Sequence, residues 1–309
     1  MASFQAGVVR VLLRNTVKNP MLRALRKPNL TRTYRKLIGG GEAIFARLPR
    51  GVSKVPVEER LAGVHGEWIL THAEPFSPRV VLYLHGGGYV GGTIQMYRPL
   101  TTAFALRCKA RVFSLDYRLA PEHPFPAALD DALAAYRWLL SQGVEASKIV
   151  VAGDSAGGGL TLSTLLAIRE GGLPAPAGAV MIAPWVDLLA TGDSMRTNAR
   201  TDDVVVPDNG ENKLAHAYMG GAPLDTPLAS GLYAELAGLP PMLIQASAIE
   251  VLLDDAVRLD AKARAAGVDS TLRVWDGLPH VWHLFAILPE TREAFDDIAL
   301  FVERVTKSP

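Results

Sequence analysis

Ser155 stands at the centre of Gly153-Asp154-Ser155-Ala156-Gly157, between the β-branched run Ile149-Val150-Val151 and a small-residue stretch continuing through Leu160, Leu162 and Leu165. A G-x-S-x-G set between a strand and a helix is the pattern of a nucleophile elbow, where a serine hydroxyl is held out to attack a carbonyl carbon. The turn is sharp, and glycines two residues to either side remove Cβ atoms that would otherwise collide. The following helix places the positive end of its dipole under developing negative charge.

A nucleophile of this kind needs an oxyanion hole. His85-Gly86-Gly87-Gly88-Tyr89 directly follows the apolar run Arg79 to Leu84. Chance supplies roughly 0.005 such matches in a chain of this composition, so the pattern carries weight. Consecutive glycines leave backbone N–H groups unshielded and able to converge on one oxygen. The expected donors are the amides of Gly86, Gly87 and Ala156. His85 is expected to orient its own glycine loop, and Asp154 to support the elbow rather than touch substrate. Gly86, Gly88 and Gly91 also spell the G-x-G-x-x-G of a dinucleotide site, with Asp116 as the ribose acid. That acid comes late, Pro99 sits at the helix start, and His85 and the elbow are left without a role.

The serine also needs a base and a group to orient it, in the chain order Ser, acid, His. His280 follows Gly277-Leu278-Pro279 in a loop just past a strand, whereas His283 reads as the start of a helix. His280 is therefore the expected base. Glu250 follows the run Leu243 to Ala248 and is the expected acid, with Asp254 as its competitor. His65, His72 and His216 have no partner pattern, and no spacing of His, Cys and acidic residues suggests a metal or other cofactor.

These groups need a frame. Apolar segments at 79–85, 110–116, 148–154, 178–185, 241–248 and 270–276 alternate with helical ones at 127–142, 156–165, 254–266 and 290–305. That alternation predicts a parallel sheet wound by right-handed crossovers. Residues 61–71 read as an antiparallel strand, and residues 1–50 as helices with turns at Asn19-Pro20 and Gly39-Gly40-Gly41. Asp187 to Ala229 is polar, with one helix-like piece at 211–219, and reads as a lid at the sheet edge where ligands bind.

The 309 residues carry 32 Lys and Arg against 31 Asp and Glu, which argues against nucleic acid as a partner. Nine basic residues and no acid precede Glu42, among them Arg10, Arg14, Lys18, Arg23, Arg26 and Lys27. They read as a helical arm with a solvated face. No apolar run reaches the length of a membrane span, and residues 1–30 lack the pattern of a secretory signal. The single cysteine, Cys108, reads as a buried spectator and fits a cytoplasmic location.

HGGG at 85–88, DYRLAPEHPFPAALDD at 116–131, GDSAGG at 153–158, EVLLDD at 250–255 and GLPHVW at 277–282 together resemble the bacterial hormone-sensitive-lipase family of α/β-hydrolases. The resemblance implies a mostly parallel central sheet flanked by helices, with a helical cap. Residues 1–50 would form one cap segment and 187–229 a second, inserted in a catalytic domain spanning 51–309. It implies Ser155, Glu250 and His280 as a catalytic triad, Gly86, Gly87 and Ala156 as oxyanion donors, and a short-chain acyl ester as the small-molecule substrate. Asp116, Tyr117, Arg118, Glu122 and His123 would brace the loop beside the oxyanion hole. Tyr89, Val90 and Val205 are the expected pocket residues. A homodimer through the edge strand at 270–276 is a further expectation. An arylformamidase-like amide hydrolase would use the same triad, and a non-catalytic receptor on this fold would be expected to lack His280.

Overall fold

The computed structural model describes residues 2–24, 30–39, 47–59, 63–208 and 210–307. Helices α1 (Phe4–Leu13), α2 (Asn19–Ala24) and α3 (Leu30–Ile38) lead into the sheet. Its strands are β1 (Val52–Glu59), β2 (Val64–Thr71), β3 (Val80–Leu84), β4 (Arg111–Leu115), β5 (Ile149–Asp154), β6 (Gly178–Ile182), β7 (Met242–Ser247) and β8 (Ser270–Trp275). Between and after them run α4 (Arg98–Cys108), α5 (Ala127–Ser141) and α6 (Ala156–Glu170). The short α7 (Ser194–Thr197) and α8 (Lys213–Met219) follow β6, and α9 (Leu253–Ala265) and α10 (Pro289–Thr306) complete the order.

The sheet runs β1-β2-β4-β3-β5-β6-β7-β8, with the β1–β2 and β2–β4 pairs antiparallel and the other neighbours parallel. This is the α/β-hydrolase architecture. Every residue of β3, β5, β6 and β7 is buried, as strands covered on both faces require. Alternate residues feed two cores. Leu82, Val151, Met181 and Ile244 pack with α5, α6 and α9, while Val81, Val150 and Val180 pack with Phe104 of α4 and Phe295 and Phe301 of α10. Cys108 is buried in that second core, and burial pushes its thiol up to about 12.

Two local expectations change. β1 is absent from the sequence reading because most of its residues face outward and Pro56 interrupts it, which an edge strand tolerates. Asn19-Pro20 is no turn: the chain stays helical from Phe4 to Ala24 and widens to a π-helical stretch at Arg14–Lys18. That widening precedes Pro20, which has no N–H to give to the regular ladder. The turn at Gly39-Gly40-Gly41, the start of the strand expected from Leu61, and Arg26 and Lys27 lie wholly or partly outside the described residues.

The basic arm is tied down internally. Arg10 and Arg14 both pair with the fully buried carboxylate of Asp203, at 2.5 and 2.7 Å. Lys18 Nζ donates to the carbonyls of Ala199, Arg200 and Asp202. Arg35 of α3 binds Glu122 and the carbonyl of Ala120. Among the described residues, no helix is long and apolar enough to cross a membrane.

Candidate active site

Ser155 lies between β5 and α6 with φ 53° and ψ −122°, a conformation side-chain-bearing residues rarely adopt. The glycines around it are there for space. A Cβ on Gly153 would sit 2.2 Å from the Gly157 carbonyl oxygen, and one on Gly157 would sit 2.0 Å from that of Leu84. The Ser155 amide donates to Ile182 O and its carbonyl accepts from Trp185 N, which fix the elbow from the β6 side.

His280 and Glu250 come together from the ends of β8 and β7. Glu250 is fully buried, accepts the Ser247 amide on Oε1 at 2.6 Å, and meets His280 Nδ1 on Oε2 at 2.6 Å. Burial pulls the His280 pKa down, but the hydrogen bond and charge of Glu250, then the charges of Asp202 and Asp154, raise it above the ordinary value. Burial pushes the Glu250 carboxyl up, against the hydrogen bond from His280. The competitors are engaged elsewhere. Asp254 accepts the Ser194 amide at 2.8 Å. His283 Nε2 lies 2.7 Å from Gln245 Oε1, and burial lowers its pKa to about 3.

The glycine loop follows β3, across from the elbow. One expected donor is already taken: the Gly86 amide donates to Asp154 Oδ1 at 3.0 Å. A buried carboxylate oxygen is a strong acceptor, so this N–H is not free for a substrate oxygen. The amides of Gly87, Gly88 and Ala156 have no acceptor among the described residues. Asp154 also accepts the Tyr83 hydroxyl, and burial raises its carboxyl to about 6. His85 Nδ1 is 2.7 Å from its neighbour's carbonyl, Gly86 O, and its ring stacks on Tyr117 at 4.3 Å between centroids. Tyr117 donates to His85 O, and Arg118 holds Asp131 through two nitrogens.

Two expected pocket residues belong to the core instead. Tyr89 and Val90 are fully buried, with Tyr89 stacked on Tyr218 at 3.7 Å between centroids. The left-handed backbone at Tyr89 turns its side chain down under the glycine loop. Val205 is half-buried, its amide bound to Asp202. The apolar groups above the loop are ones the sequence does not single out. A Cβ on Gly88 would meet Leu214 of α8 at 3.2 Å and the Tyr34 hydroxyl of α3 at 3.6 Å. Tyr34 and Leu214 pack with Met21, Ala24 and Val206, so the arm and the 187–229 segment meet over this loop.

Residues 81–284 match the family described as the alpha/beta hydrolase fold. An acetyl-hydrolase of Streptomyces hygroscopicus is 43% identical over 229 residues, covering 74% of this chain and 76% of that protein. The crystal structure of EstE5 soaked with ethyl alcohol superposes with a TM-score of 0.91 at 40% identity, covering 99% of this chain and 100% of that one. An esterase from the bacterial hormone-sensitive lipase family does so with a TM-score of 0.87 at 41% identity and the same coverage. With the elbow, the glycine loop and the Glu250–His280 pair at one edge of this sheet, the chain belongs to the bacterial hormone-sensitive-lipase family of α/β-hydrolases and is an esterase, a carboxylic ester hydrolase.

Proposed function

We propose that Ser155, His280 and Glu250 form the catalytic triad of a carboxylesterase for short- to medium-chain acyl esters. Ser155 Oγ attacks the ester carbonyl while its proton passes to His280, and the C–O bond to the leaving alcohol breaks as His280 returns that proton. Water, deprotonated by His280, then opens the acyl-enzyme. Glu250 holds the imidazole by Nδ1 and stabilises it when charged; losing the corresponding acid in a serine triad costs about 10⁴ in turnover. The amides of Gly87, Gly88 and Ala156 bind the oxyanion, each worth roughly 10²–10³ in rate. Gly86 instead locks the loop to Asp154.

The observation that carries this reading is the 2.6 Å contact between His280 Nδ1 and Glu250 Oε2, at the same sheet edge as the strained serine. The acyl preference is supported by the relative named acetyl-hydrolase and by the close approach of Tyr34 and Leu214 to Gly88. Residues 1–50 and 187–229 form the cap on a catalytic domain spanning 51–309, supported by the Arg10 and Arg14 pairs with Asp203. We place the enzyme in the cytoplasm, where a lone buried thiol stays reduced; cell fractionation tests this. A homodimer through β8 is tested by light scattering, and a strict monomer ends that idea.

Hydrolysis of p-nitrophenyl esters from acetate to palmitate tests the reaction, with Ser155→Ala and Glu250→Gln in parallel. Short esters are turned over by wild type, not detectably by Ser155→Ala, and at least about 10³-fold more slowly by Glu250→Gln. A folded wild type that ignores every ester but cleaves an N-formyl arylamine would make the chain an amide hydrolase, and one that cleaves neither would leave a receptor.

A further inference from the structure

We propose that Asp202 is a positioning residue for the Glu250–His280 pair, fixing the turn that carries Glu250 and setting a second negative charge against the imidazole. This role presupposes that Glu250 and His280 serve Ser155 as argued above.

In the turn at 248–251 the amides of Ala248, Ile249 and Glu250 bond back to Trp275 O, Ser247 Oγ and Ser247 O at the strand ends. The carbonyls of Ala248, Ile249 and Glu250 and the amide of Val251 are instead held by one short segment after α7. Asn198 Nδ2 donates to the carbonyls of Ala248 and Glu250 at 3.0 and 2.9 Å, and Thr201 Oγ1 donates to that of Ile249 at 3.0 Å. Asp202 Oδ2 accepts the Val251 amide at 2.9 Å. Asp202 Oδ1 accepts two further amides, from Val204 at 2.8 Å and Val205 at 2.9 Å. So a carboxylate that is 1% exposed reaches out of the cap segment and ends beside the acid.

Burial pushes the Asp202 carboxyl above its ordinary range, and the charge of His280 and three backbone N–H groups oppose that rise by favouring the ionised form and pointing it inward. Behind it, Lys18 binds the carbonyl of Asp202 itself, and Arg10 and Arg14 hold Asp203. The charged and titratable groups facing His280 are Glu250 in direct contact, Asp202 from the cap segment, Asp154 from the elbow and His283 from the following turn. Asp202 in turn faces His280, Glu250 and Lys18, whose own neighbours are Arg14 and Asp203. A negative charge at Asp202 favours the imidazolium, which is the form His280 takes each time it accepts the serine or water proton. No residue of the serine, acid or base motifs lies in this segment, so nothing in those motifs points to it.

The test is the pH dependence of kcat and kcat/KM on p-nitrophenyl butyrate for wild type, Asp202→Asn, Asp202→Glu, Asn198→Ala and Glu250→Gln. An asparagine cannot satisfy all three amides, since its NH2 must face one of them. Asp202→Asn is expected to lower kcat about tenfold or more with KM within about twofold. Its acid limb moves to lower pH by about 0.5 or more, because the imidazolium has lost a favourable charge. Asn198→Ala, which removes two hydrogen bonds and no charge, lowers kcat and leaves the limb in place. An acid limb at the wild-type pH in folded Asp202→Asn overturns the proposal. Should that variant not fold, Asp202→Glu decides: the charge stays, the geometry does not, and wild-type kcat in it overturns the proposal equally. Wild-type turnover by Glu250→Gln would instead sink the triad reading, whatever Asp202 does.

Discussion

The Gly86 amide donates to Asp154 Oδ1 at 3.0 Å, which ties the glycine loop to the residue immediately before Ser155. Tyr83 donates to the same oxygen. The serine elbow and the glycine loop are therefore joined through a carboxylate with no exposure to solvent.

Removing that acceptor strands two buried donors. Asp154→Ala should cost about 1–3 kcal/mol for each, read as a lower urea midpoint, together with reduced kcat. Asp154→Asn keeps an oxygen in place and should lose markedly less. Equal midpoints for the alanine variant and wild type would remove the loop anchor.

The φ of 53° at Ser155 stores strain that glycine would not feel. Ser155→Gly should abolish ester hydrolysis and raise the melting temperature, since relief of such a conformation is worth about 1–3 kcal/mol. Ser155→Ala should be equally inactive without that gain. A glycine variant that melts below the alanine one would contradict the strain.

As the proposed base, His280 can accept a proton only when neutral. Its pKa lies above the ordinary 6.5, because Glu250, Asp202 and Asp154 together outweigh the burial that lowers it. Activity should therefore fall as pH drops through a midpoint above 6.5 in the kcat/KM profile. A midpoint below 6.5 would mean that burial wins.

Asp255 gives a stability test away from the chemistry. Burial raises its carboxyl from 3.8 to about 8 although it accepts the Val186 and Asp187 amides. A folded pKa above the unfolded one favours the native state below pH 3.8, and that contribution is lost as pH rises through 8. Asp255→Asn never ionises, so its melting temperature relative to wild type should rise by about 2 °C or more from pH 4 to pH 9. A constant difference across that range would show that Asp255 is already ionised in the native protein at low pH.

The sheet and the residues proposed for its chemistry are legible in the sequence because they are local. Buried strands are unbroken apolar runs, and Ser155, Glu250 and His280 each follow one, so their places at the sheet edge come with the strands. The glycine loop is legible only as a pattern. Three identical residues in a row do not say which N–H faces inward, and only the folded chain shows Gly86 turned to Asp154. Tyr89 reads as a pocket wall from its position but is turned into the core by a left-handed backbone no pattern announces. Tyr34 and Leu214 reach Gly88 from opposite ends of the chain, and Asp202 reaches Val251, through contacts that carry no spacing signal.

Chain order gives the arm a further property. Arg10 lies 193 residues before its partner Asp203, and Lys18 lies 184 before the carbonyl of Asp202. At roughly 5–20 residues per second, a ribosome emits Arg10 and Lys18 about 10–40 seconds ahead of these partners. Until then Arg10 and Arg14 lack the Asp203 carboxylate, and Leu278 and Trp282, which pack with Val9 and Leu13, are made later still. Docking of this N-terminal helix is therefore a late step of biogenesis, completed only after most of the sheet beneath it is made.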